Sequence, residues 1–176
     1  MADLTLTLTD MAHGGLALGR DKSGRAVFVP FAIPGETVRV RPPRPGDRTA
    51  RAELLAVVRP SPDRVAPRCR HFGICGNCAF QHMGYDAQLR AKTAVVRDQL
   101  GRVGGIRNPN VRPIVPHPAA YDYRGETTLF RAGEGGLGYW SPVLRRIFRA
   151  EECPILQPAL QTALGDLDVD LPDLRK

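Results

Sequence analysis

Leu4, Leu6 and Leu8 alternate with Thr5, Thr7 and Thr9, the period-two pattern of a strand with one buried face. Gly14 and Gly15 break that run, and Leu16–Gly19 supplies a second short strand. Arg25–Val29 reads as a third, with Ala26 and Phe28 on one face and Val27 and Val29 on the other. In Ile33-Pro34-Gly35-Glu36 the proline presets φ and the glycine supplies a positive φ, so the chain turns. Val38 and Val40 alternate with Arg39 and Arg41 in a fourth strand, and Arg48–Val58 carries a fifth after the Pro42–Gly46 loop. Short strands joined by glycine-rich turns predict a small closed β-barrel of the OB type over residues 1–59, a fold that often binds single-stranded nucleic acid on one face. Pro60, Pro62 and Pro67 predict a stiff linker over 60–68.

The period then changes. Tyr85, Leu89, Thr93, Val96, Leu100 and Val103 recur at spacings of four and three, predicting a helix over 85–103 with that stripe as its apolar face. Gly101, Gly104 and Gly105 end it. Strand-like pieces return at Arg112–Val115, Thr127–Arg131, Gly136–Trp140 and Arg145–Ala150, and Pro154–Leu167 could begin a second helix. Residues 69–176 therefore predict an α+β region, and the fold class is mixed, a barrel followed by that region. Gly133-x-Gly135-x-x-Gly138 formally matches a dinucleotide fingerprint, but no helix pattern follows it. A glycine-rich hairpin without a cofactor is the better reading.

Composition sharpens this picture. At 43% hydrophobic the chain can build a core, and at 6% aromatic that core must be mostly aliphatic. No apolar run approaches the ~18 residues that span a bilayer, and the start of the chain is no secretory signal. The expectation is a soluble cytoplasmic protein with no membrane partner, whose thiols stay reduced. The net charge is +7, and only Lys22, Lys92 and Lys176 among the 25 basic residues are lysine. Arginine's planar fork suits phosphate, so the basic first half points to RNA or DNA, against the plainer reading of a decorated surface. The candidate RNA contacts are Arg20, Arg25, Arg39, Arg41, Arg48 and Arg51, with Phe28 as a stacking platform. Arg124, close to Tyr121 and Tyr123, could touch RNA or pack a hairpin.

The strongest chemistry lies in Cys69-x5-Cys75-x2-Cys78, three soft ligands within ten residues. Cys153 is the remaining cysteine, and its Cys-Pro step resembles the closing ligand of ferredoxin-type sites. A triplet plus one distant cysteine favours a 4Fe–4S cluster. Zinc is the rival occupant, although its ribbons usually pair two short knuckles. His71 and His82 rank behind Cys153 as ligands, since an isolated histidine near a loop is more often a hydrogen-bonding residue.

These residues resemble a known family. The segment 69–105, with its C-x5-C-G-x-C core, Gln81-His82, Gln88 and Lys92, resembles the iron–sulfur region of class I S-adenosylmethionine-dependent RNA 5-methyluridine (uracil-C5) methyltransferases. Tyr123-Arg124 through Cys153-Pro154-Ile155 resembles that family's central domain. HGGLALGR, VFVP and IPGETVRV resemble the TRAM domain, a small RNA-binding barrel. The resemblance implies the N-terminal portion of an enzyme acting on ribosomal RNA or tRNA. It also implies a Rossmann-like domain that binds S-adenosylmethionine, which this sequence does not show. It further implies a cysteine nucleophile, yet a cluster would occupy all four cysteines. The expectation is thus a chain that binds RNA and a cluster but needs a separate or missing methyltransferase domain for methyl transfer. The alternative is a stand-alone RNA-binding protein with a structural zinc.

Overall fold

A computed structural model describes residues 2–43, 50–132 and 136–166. The chain divides into two compact units that interleave along the sequence: 1–66 with 79–116, and 67–78 with 117–176.

The first unit is built on five strands, β1 (Leu4–Ala12), β2 (Leu16–Arg20), β3 (Ala26–Pro30), β4 (Thr37–Arg41) and β5 (Glu53–Arg59). They form one antiparallel sheet in the order β3-β2-β1-β4-β5. The register sets Leu6 opposite Val38 and Leu4 opposite Val40. Leu6, Leu8, Val27, Val29, Val38 and Val40 therefore point inward and are buried, each worth roughly 1.5–3 kcal/mol relative to exposure. The sheet curls until its edges meet. Phe28 N–H donates to the Ala50 carbonyl at 2.8 Å, and Phe28 O accepts from Ala52 N–H at 2.8 Å. This is a curled, barrel-like sheet, in keeping with the predicted barrel. Arg48 lies outside the described residues.

Two expectations in this unit need correction. The stiff linker expected over 60–68 is tied down over 61–65, where it folds back on the first unit. Glu36 is fully buried, and its carboxylate accepts from Arg64 Nε at 2.5 Å and Arg64 Nη2 at 2.7 Å. Backbone N–H groups of Ile33 and Ser61 add bonds of 3.0 and 3.1 Å. Val65 N–H reaches the His82 carbonyl at 3.0 Å, and Gly84 N–H reaches Asp63 O at 2.9 Å. The prolines stiffen the segment, but a buried charge that must be paired decides where it goes.

The second correction concerns the helix. α1 spans Tyr85–Asp98, and residues Gln99–Val103 continue it as a π-helical turn. Its core-facing side is Ala87, Ala91 and Val95, not the predicted stripe. Val96 and Val103 are exposed. Small alanines let the helix sit close to the barrel core, so close approach outweighed side-chain bulk. Leu89 and Thr93 instead line a groove of about 540 Å³ with Val111, Pro113 and Ile114. Residues 112–115, expected as a strand, pair with no strand among the described residues; prolines at 113 and 116 remove donors.

The second unit holds the cysteine loop and a three-stranded antiparallel sheet. Its strands are β6 (Phe130–Arg131), β7 (Leu137–Ser141) and β8 (Arg146–Arg149), in sequence order. α2 (Pro158–Asp166) follows. β6 and β7 pair antiparallel on either side of the glycine-rich segment, of which Gly133 and Gly135 lie outside the described residues. A Cβ on Gly138 would sit 1.7 Å from the Phe148 carbonyl oxygen, so strand packing explains that glycine. The core is small: Tyr139, Ala150, Cys153, Ile155, Leu156 and Leu164 are buried, with Cys75 and Cys78 packed against them. Among the described residues, no helix is long and apolar enough to cross a membrane.

Candidate metal centre and nucleic-acid interface

All four cysteines fall in the second unit, outside any disulfide. The loop that carries three of them is a series of tight turns. Phe72 N–H reaches Cys69 O at 3.1 Å, and the N–H groups of Ile74 and Cys75 reach His71 O at 3.0 and 2.8 Å. Gly76 is needed here, since a Cβ on it would meet Pro142 Cδ at 3.0 Å. Ser141 Oγ donates to Ile74 O at 2.7 Å and fixes the loop to the end of β7.

The distant fourth cysteine is brought in by ties that do not involve sulfur. Arg70 follows Cys69, and Glu152 precedes Cys153. Arg70 N–H donates to Glu152 Oε1 at 2.7 Å across 82 positions of sequence, and Arg70 Nη1 reaches Glu151 Oε2 at 2.9 Å. Glu151 N–H donates to His71 Nε2 at 3.3 Å, and the His71 ring packs on Phe148 at 5.2 Å. Arg68 lies over the Tyr121 ring at 5.0 Å. Asp122 N–H then reaches Pro154 O at 3.1 Å. Cys153 itself is buried, and its carbonyl accepts from Leu156 N–H at 2.9 Å in the turn after Pro154.

The thiols lie within electrostatic reach of one another. Burial pushes the Cys69 thiol up, and the charges of Glu152, Cys153 and Cys78 add to that, while a hydrogen bond from His71 N–H opposes it. Burial likewise pushes Cys75 up, with Cys78 and Cys153 adding, against Asn77 N–H and the nearby Arg124 charge. Two backbone N–H groups thus aim at sulfur. Tyr139 adds a hydroxyl. It is buried, bonds Thr127 Oγ1 at 2.9 Å and Cys153, and burial above all pushes it up to about 12, so it stays neutral. Among the described residues, no group of three or more His, Cys, Asp or Glu side chains is already arranged to hold a metal ion. The donor chemistry of four reduced thiols nevertheless fits a soft metal centre.

The other candidates separate clearly. His82 belongs to the first unit, buried, with Nε2 3.2 Å from the Ala32 carbonyl. Arg124 is half-buried; its backbone bonds Ile155 O at 2.7 Å and Gln157 N–H at 3.0 Å, and its charge lies near Cys75. On the barrel, Phe28 is half-buried beside exposed Arg51, with Leu18 opposite it and Arg20 one row away. Arg20 Nη1 donates to Gly24 O at 2.9 Å. Arg25 pairs with Asp21 at 2.8 Å, Arg41 with Glu53 at 2.6 Å, and Arg39 sits 3.9 Å from Asp3. Among the described residues of these candidates, Arg20 and Arg51, flanking Phe28, are the ones for which no ion pair with a carboxylate is found. The sequence reading missed Glu36–Arg64, the Arg70 ties and Tyr139. Only Tyr139 left a signal, an inward tyrosine whose hydroxyl needs a partner.

Comparison with known proteins gives the family. Residues 3–55 match the TRAM domain. An uncharacterized RNA methyltransferase from Synechocystis is 31% identical over 170 residues, covering 94% of this chain and 36% of its own length. The 23S rRNA (uracil(1939)-C(5))-methyltransferase RlmD of Halomonas elongata is 36% identical over 92% of this chain and 34% of its own. Among solved structures, the Pyrococcus abyssi tRNA (uracil-54, C5)-methyltransferase in complex with S-adenosyl-L-homocysteine superposes with a TM-score of 0.55. It is 25% identical and covers 92% of this chain and 35% of its own. The chain spans about a third of the length of these relatives. With a TRAM barrel at residues 3–55 and similarity running on through the cysteine unit, it belongs to the TRAM-bearing family of RNA methyltransferases.

Proposed function

We propose that this chain is the RNA-recognition and iron–sulfur portion of a uracil-C5 RNA methyltransferase acting on ribosomal RNA or tRNA. S-adenosylmethionine would be bound by a further domain of the kind its relatives' extra length allows. The observation that carries the cluster is the seating of Cys69 and Cys153. Arg70, next to Cys69, bonds Glu151 and Glu152 beside Cys153, and Cys153 packs in the cluster that Cys75 and Cys78 adjoin. Cys69, Cys75, Cys78 and Cys153 would ligate a 4Fe–4S cluster, with N–H groups of His71 and Asn77 and the Tyr139 hydroxyl donating to sulfur. Such a cluster supplies a cross-link between distant segments of a unit with a thin core. The barrel would bind the RNA backbone through its arginines, with Phe28 stacking on a base.

Anaerobic purification tests the reading. The expected product is brown, absorbs near ~400 nm as iron–sulfur thiolate centres do, and carries iron and sulfide in equal amounts. Colourless protein with a single zinc would contradict it. RNA binding should weaken steeply with salt, as counterion release requires.

A further inference from the structure

The outward face of the three-stranded sheet carries chemistry that neither the barrel nor the cysteines use. Register places Phe130 opposite Gly138, and Gly138 opposite Arg149, so these three share one row on one face. Trp140 and Ile147 form the next row on that face, two residues along β7 and β8. Tyr139 and Phe148 point the other way, into or against the core. Phe130 and Trp140 are each 51% exposed, which is unusual for large aromatic side chains in a unit so short of core. They lie diagonally across the strands, about 7–8 Å apart at the backbone. Between them is a glycine that cannot be replaced, because β8 approaches too closely for a Cβ. The two rings therefore flank a buried position that carries no side chain.

Register places Arg149 on this face, whereas Arg131 and Arg146 pair with Leu137 and Ser141 on the opposite one. Among the described residues of 130–150, the charged side chains are Arg131, Arg145, Arg146 and Arg149; the segment's one acid, Glu134, lies outside them. Arg149 shares the row with Phe130, and its Nε lies 3.3 Å from where a Cβ on Gly136 would be. The chain carries a net charge of +7, which favours a polyanionic partner. Here two exposed aromatic rings share a face with the Arg149 guanidinium, the combination that receives unstacked bases and their phosphates.

We propose that this sheet face is a second RNA-binding surface, on which bases of a single-stranded segment stack against Trp140 and Phe130 while Arg149 meets the backbone. The proposal rests on the reading that the chain binds RNA, and adds a place where it does so.

Trp140 is the only tryptophan in the chain, so its emission reports on this face alone. The experiment titrates the metal-loaded 176-residue chain with a fluorescein-labelled ten-nucleotide oligouridine. It follows label anisotropy and, with unlabelled RNA, tryptophan emission. Anisotropy should rise, Trp140 emission should be quenched over the same concentration range, and Phe130→Ala should weaken binding about tenfold, as loss of one stacked base does. Phe130 is exposed, so that variant should keep the wild-type circular dichroism. Binding with Trp140 emission unchanged, or with Phe130→Ala at wild-type affinity, would overturn the sheet face while leaving barrel binding intact. No anisotropy change at all would overturn the RNA reading and this surface with it.

Discussion

The two units are stabilised in different ways. The barrel unit buries a continuous aliphatic core, from Leu6 and Leu8 through Val27, Val29, Val38 and Val40 to Met83 and Ala87. Its sheet also meets itself at Phe28. The cysteine unit has a short sheet, a smaller buried cluster and one of its own candidate ligands, Cys153, inside that cluster. Its distant segments are held by exposed ion pairs such as Arg70–Glu151, where both side chains are 63% exposed, and such pairs contribute at most about 1 kcal/mol. One unit can be folded by apolar burial. On the proposed function the other is cross-linked through its sulfurs, and that dependence is where the comparison can be broken.

Cys153→Ser should have the largest effect and should act on one unit only. Losing the proposed centre would remove folding energy on the order of several kcal/mol. Amide hydrogen exchange should accelerate across β7 and β8 while β1 to β4 stay protected. Equal loosening of both units would deny the contrast.

Glu36→Ala is the converse experiment. It strands Arg64, only 24% exposed, without its carboxylate, and should cost the barrel about 3 kcal/mol in denaturant unfolding. Iron content should not change.

Acid should also act on the barrel first. Burial alone would raise Glu36, but hydrogen bonds from Arg64, Ser61 and Ile33 reverse it, and its carboxyl stays below the usual range. Burial holds His82 below its ordinary 6.5, so it is neutral in the folded state. For both groups the unfolded chain takes up the proton more readily. Stability should therefore be complete above pH 6.5 and fall as the unfolded imidazole protonates. It should fall further below 4.5, as the Glu36 carboxylate is lost. Thermal melts of the Glu36→Gln variant should lose the lower part of that dependence.

Tyr139→Phe removes a hydroxyl shared by Thr127 and Cys153 and should cost about 1 kcal/mol. Arg70→Ala should cost least, below about 1 kcal/mol, since its pairs are exposed.

Much of this was legible in the sequence. Period-two alternation located β1, β3 and β4 because each has one wet and one dry face. The hairpin around Gly136 and Gly138 was legible from its glycines. The four cysteines were read from chemistry alone, and the structure brings them into one unit. The rest depended on partners far away in sequence. Glu36 looks like a turn residue until Arg64 returns to it across 28 positions. α1 was found but its buried face was not, because Ala87 and Ala91 carry little hydrophobic weight and matter through their smallness. Residues 60–66 read as linker because prolines describe stiffness and not destination.

Four thiols from opposite ends of the cysteine unit sharing one inorganic centre is the claim on which the contrast between the units depends. Native mass spectrometry of anaerobically prepared protein measures it directly. Each chain should carry the added mass of one four-iron, four-sulfide core, and Cys153→Ser should lose the intact core. A chain of bare polypeptide mass, or a core that survives unaltered in Cys153→Ser, would contradict the account.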